Sequence, residues 1–110
     1  MKVSRLSEAL RIPVSHDPAL IKDVILDVGA VPGLRNFSHI TFPPGSVVAE
    51  HSHKDGTEVF YCLAGRAEVS VQGATVEFTP GTCLAVEPGE VHALGGMEQG
   101  MEMLFFYVFT

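Results

Sequence analysis

The chain has 110 residues, a net charge of −6 and 46% hydrophobic side chains, enough for one domain that buries roughly two thirds of its unfolded surface. No Lys or Arg follows Arg66, while Glu68, Glu77, Glu87, Glu90, Glu98 and Glu102 do, so the charge pattern repels phosphate backbones and excludes a nucleic-acid partner. No run of about 18 apolar residues offers a membrane span, and the polar start MKVSRLSEALRIPVSH lacks the apolar core of a signal peptide, so a soluble cytoplasmic protein is expected.

In chain order, residues 6–10 offer one weak helical turn. Beyond it, turn signals recur at short intervals: Pro32-Gly33, Pro43-Pro44-Gly45, Asp55-Gly56, Gly65, Gly73, Pro80-Gly81, Pro88-Gly89 and Gly95-Gly96. The runs between them are rich in Val, Ile, Phe, Thr and Tyr and predict strands near 22–28, 34–42, 46–53, 58–64, 67–72, 74–78, 83–86, 91–94 and 101–109. Many short strands with this punctuation indicate a single all-β domain over residues 1–110, a sandwich or barrel. Asp55-Gly56 predicts a hairpin that returns the 58–64 strand beside the 46–53 strand. Alternation places Val69 and Val71 inside, with Glu68, Ser70 and Gln72 outside. Cys62 and Cys83 sit in apolar runs without CxxC spacing and are read as reduced core thiols. The tail from Met101 is apolar on both faces after Glu102. It is either a central strand covered on both sides or a subunit contact.

The histidines carry the chemistry. His51 and His53 stand at i and i+2, which on a strand puts both imidazoles on one face about 6.5–7 Å apart. Glu58 enters on the next strand, and His92 opens another after the Pro88-Gly89 turn. Three imidazoles and a carboxylate suit a divalent transition metal (Mn, Fe, Co, Ni, Cu or Zn) and disfavour Mg or Ca. The other two histidines, His16 and His39, read as surface or packing residues. From Glu58, the same-face residues Phe60 and Cys62 are expected to form an apolar pocket wall. The cations of the barrel region, Arg35, Lys54 and Arg66, are too few for a phosphorylated substrate.

The span Gly45 to Gly65 fits G-x5-H-x-H-x4-E-x6-G at every specified position, and it resembles the first motif of the cupin superfamily. Gly81 to Gly96 resembles the second motif, G-x5-P-x-G-x2-H-x3-N, with Glu87 in place of the Pro and Gly96 in place of the Asn. Fifteen residues separate the two, as in compact single-domain members. The resemblance implies a six- to eight-stranded antiparallel jelly-roll β-barrel, a cupin-like double-stranded β-helix. It also implies a metal held by His51, His53, Glu58 and His92, and in an octahedral ion that set leaves two positions open.

Cupins host many reactions, so fold alone decides little. The expected function is a metal-dependent reaction, oxygenase-like or isomerase-like, on a small metal-chelating molecule. The alternative is a non-catalytic module that binds a sugar or small acid. No catalytic residue beyond the metal ligands is assigned, no separate cofactor is implied, and Cys62 reads as packing rather than a nucleophile. High hydrophobicity and open sheet edges lead to the expectation of a homodimer.

Overall fold

The computed structural model describes residues 1–15 and 17–110; His16 lies outside the described residues. A 3-10 turn at Leu6–Glu8 precedes ten strands: β1 Leu10–Val14, β2 Asp17–Leu26, β3 Leu34–Phe42, β4 Ser46–His51 and β5 Gly56–Gly65, then β6 Ala67–Val71, β7 Ala74–Phe78, β8 Cys83–Val86, β9 His92–Met97 and β10 Met101–Phe109. They form a six-stranded sheet in the order β1-β2-β3-β10-β5-β8 and a four-stranded sheet in the order β4-β9-β6-β7, with every pairing antiparallel. The two sheets enclose one core, the jelly-roll solution for short antiparallel strands. Two more strands are present than the upper bound of six to eight, because β1 and β2 extend the larger sheet N-terminally. No helix among the described residues is long and apolar enough to cross a membrane.

Alternation explains the core. Ala67 and Val69 of β6 are buried while Glu68 is exposed. Phe78, Val86, Leu94, Met97 and Phe60 meet them from the other strands. β10 lies between β3 and β5, with Met101, Met103, Phe105 and Tyr107 turned inward and buried. Its outward side chains are half-buried by neighbours on the same sheet rather than by a second layer; Phe106 stacks on Phe37 with centroids 6.1 Å apart and planes 7° from parallel. Glu102, Leu104 and Phe106 thus lie on an open face, which corrects the expectation of a strand covered on both sides.

Two other expectations are corrected. Cys83 is exposed, because β8 is the short edge strand of the larger sheet, while Cys62 is buried; both are free thiols. Asp55-Gly56 closes no hairpin: β4 pairs with β9 in one sheet, and β5 pairs with β10 and β8 in the other. The turn carries the chain across the barrel from sheet to sheet.

Candidate metal centre

That crossing brings the four residues together. His51 ends β4 and lies in register opposite His92, the first residue of β9, with ring centroids 4.2 Å apart. His53 stands two residues beyond β4, in the loop rather than on the strand, at 5.1 Å from the His51 ring and 5.4 Å from the His92 ring. Glu58 projects from β5 of the opposite sheet, with Oε1 3.4 Å from His53 Nε2 and 3.7 Å from His92 Nε2. One donor atom from each of the four lies within 4.8 Å of all the others. An ion with metal–ligand bonds of about 2.0–2.2 Å would be held by these four once they drew closer together.

The backbone selects the donor nitrogens. His51 Nδ1 is 2.8 Å from the Ala49 carbonyl and His92 Nδ1 is 3.0 Å from the Glu90 carbonyl. An N–H donated there leaves Nε2 as the lone-pair atom. Nε2 of His53 and of His92 are both buried without a hydrogen-bond partner. Buried polar atoms are rarely left unsatisfied, and a divalent ion satisfies both, so these residues fit a metal. Burial lowers the His53 pKa, with the His51, His92 and Arg35 charges adding to it against Glu58, so His53 rests in its neutral, ligating form. At His92 burial acts in the same sense, but the Glu58 carboxylate and the Glu90 carbonyl outweigh it and raise the pKa. A metal held there would compete with protons for Nε2, so its affinity would fall with pH.

The ligand loop is fastened at several points. The Gly89 N–H donates to the His53 carbonyl at 2.6 Å, tying the second turn to the first. In that turn Glu90 N–H donates to the Glu87 carbonyl, and the Glu87 N–H donates to the Glu90 carboxylate at 2.8 Å. A proline at 87 lacks the N–H for that bond, which accounts for one departure from the second motif. The other, Gly96, adopts φ +65°, a conformation open to glycine and asparagine above all. Tyr107, on β10, donates its hydroxyl to the Asp55 carboxylate and sets its ring edge-on to His53 at 5.3 Å and 84°. The Tyr107 ring and the Val108 carbonyl occupy the space a side chain at Gly56 would need, so only glycine fits there.

A cavity of about 190 Å³ opens beside the cluster, lined by His51, His53 and Glu58 together with Phe60, Ile40, Phe42, Met103 and Phe105. Phe60 stands where alternation from Glu58 puts it. Cys62 does not line the cavity: one strand period further along β5 it is enclosed in the core, its thiol against the Ala64 and Gly65 carbonyls, and burial raises its pKa. A thiol held protonated in the core is inert. The cations also differ from expectation. Lys54 is not on the wall, and Arg66 is engaged by Glu77 at 2.6 Å and Glu68 at 3.4 Å. Of the three named cations only Arg35 lines the cavity, and Lys22, not among them, joins it. Alternation along β2 (Leu20, Lys22, Val24) carried a signal for Lys22, a lone cation on an apolar inward face. Arg35 sits at a register shift between β3 and β10, and no sequence pattern marks it.

The family model described as Cupin domain matches residues 38–109. The chain belongs to the cupin family. Over 51 residues it is 35% identical to quercetin 2,3-dioxygenase of Bacillus subtilis, a match that covers 46% of this chain and 15% of that enzyme. Among solved structures, a predicted oxalate decarboxylase from Thermotoga maritima superposes with a TM-score of 0.87 at 24% identity, covering 99% of this chain and 100% of that one. KdgF from a Halomonas species gives 0.83 at 17% identity, covering 100% and 94%. At these identities the structural likenesses establish the cupin fold.

Proposed function

We propose that this cupin is a metal-dependent enzyme, oxygenase-like or isomerase-like, acting on a small molecule that chelates the metal through its own oxygens. The observation that carries the reading is the convergence of four donors within 4.8 Å, two of them buried nitrogens with no other partner, at the wall of a small cavity. A bound ion supplies Lewis acidity or redox chemistry to a coordinated oxygen. The chain's own residues supply placement and exclusion. Phe60, 6.3 Å from the His92 ring, and Phe105 give the cavity an apolar side next to the donors. Glu58, in the cavity wall, stands with Oε1 3.4 Å from His53 Nε2 and 3.7 Å from His92 Nε2, placed to serve as the anionic ligand of the set. Tyr107 is no base: burial, with Asp55 adding to it, pushes its pKa up to about 12, so it keeps its proton. The segmental identity to a quercetin dioxygenase supports the oxygenase branch over the isomerase branch.

Protein prepared without added metal, assayed for bound metals and then for oxygen uptake with catechols, diketones and thiols, tests the reading. Bound iron or manganese and oxygen consumption with one of these classes are expected. Absence of both removes the oxygenase branch, and a thermal-shift response to sugars or small acids would then favour a non-catalytic binding module.

A further inference from the structure

Two cations line the cavity beside the imidazole cluster: Lys22, from the middle of β2, and Arg35, at the register shift of β3. Among the described residues neither makes an ion pair with a carboxylate, whereas Arg11, His39 and Arg66 each do. Each lies against an aromatic ring instead. Lys22 Nζ is 6.0 Å from the Phe105 centroid, and Arg35 Cζ is 5.2 Å from that of Tyr107. Because Tyr107 is edge-on to His53, the guanidinium is one ring removed from the cluster. Burial, reinforced by the like charge of Arg35, lowers the Lys22 pKa. Lys22 is half-buried and Arg35 exposed at the cavity rim; the Glu58 and Asp27 charges offset only part of the cost of burying Lys22, and a bound anion relieves the remainder. Glu58 is the one carboxylate on the described cavity wall, so a divalent ion at the cluster leaves the cavity strongly positive.

We propose that Lys22 and Arg35 form an anion-holding subsite, and that the substrate is a small organic acid. Its oxygen-bearing end faces His51, His53, Glu58 and His92, and its carboxylate lies on Lys22 and Arg35. The orientation of the first end rests on the metal-dependent reading above; the subsite does not. A guanidinium fork matches the two oxygens of a carboxylate, and an ammonium adds a point charge beside it. A phosphate monoester brings close to two charges and three acceptor oxygens, and the described residues hold no α-helix whose N-terminus could meet the third.

Calorimetric titration at low ionic strength tests this, using malonate, 2-oxoglutarate, inorganic phosphate and glycerol as probes. Metal-loaded and chelator-stripped protein are both titrated, with melting curves to verify folding. Wild type is expected to take a carboxylate probe and ignore glycerol. Lys22→Met and Arg35→Met should each weaken that binding about tenfold, while Lys22→Arg retains most of it and Arg35→Lys, which keeps the charge but loses the fork, falls between. Equal affinity in wild type and the folded double Met variant overturns the subsite. So does the failure of every carboxylate to bind either form, or tighter binding of phosphate. If no metal is ever taken up, the metal-dependent reading fails alone, since the dependence on Lys22 and Arg35 is still read in stripped protein.

Discussion

Tyr107 does more than fill space. It is 2% exposed, its hydroxyl is donated to Asp55, and its ring fixes the azimuth of His53. The Asp55 carbonyl in turn accepts the N–H of Thr110 at 2.9 Å. Of the three imidazoles in the cluster, His53 alone stands off a strand, so its position depends on these ties. Outer partners of this kind are typically worth 10–100-fold in metal affinity. Tyr107→Phe, which keeps the ring and removes the hydroxyl, is therefore expected to weaken metal binding about tenfold with only a small change in melting temperature. Competition with a metallochromic chelator reads the first quantity and circular dichroism the second. Unchanged affinity would show that the hydroxyl does not position the loop.

At the scale of elements, the outer face of the larger sheet holds a row of charges across four strands. Arg11 of β1 meets Asp23 of β2 at 3.1 Å, and His39 of β3 bridges Asp23 at 3.1 Å and Glu102 of β10 at 2.6 Å. His39 is thus neither a bare surface residue nor a packing one. It is 6% exposed and links three strands. Burial lowers its pKa, but the hydrogen bonds and charges of Glu102 and Asp23 outweigh burial and raise it. A raised folded-state pKa means the stabilisation is complete below the ordinary value of 6.5 and is lost as pH rises through the raised value. The melting-temperature gap between wild type and His39→Gln should therefore be larger near pH ~6 than near pH ~9. A gap that grows with pH contradicts the pairing. None of this row was legible in the sequence, because Asp23, His39 and Glu102 meet only through the order β2-β3-β10, which no local pattern encodes. By contrast β3, β7 and β8 match their predicted bounds, since clean turn signals flank each, and β10 matches because it runs as one apolar stretch to the last residues. The four candidate ligands were legible for the same reason, as spacing within two short motifs. How they converge was not, because Asp55-Gly56 resembles a hairpin locally and acts as a crossover between sheets.

Taken whole, the molecule offers an apolar patch beside that row of charges on the outer face of its larger sheet. Ile21, Tyr61 and Leu63 are exposed there, with Leu104 opposite Tyr61 and Phe106 opposite Phe37 and Val59. We propose that a second copy of the chain covers it, as a homodimer. Light scattering should then return about twice the 11.8 kDa chain mass at micromolar concentration, and a single-chain mass would refute the dimer. The account as a whole depends on the proposal that His51, His53, Glu58 and His92 hold a metal ion. X-ray absorption at the edge of the bound metal, combined with elemental analysis of wild type and His51→Ala, tests it most directly. The account predicts one transition-metal ion per wild-type chain, with about three imidazole nitrogens at roughly 2.0–2.2 Å, and loss of stoichiometric metal in a still-folded His51→Ala. A coordination shell without imidazole, or full metal content in His51→Ala, would contradict it.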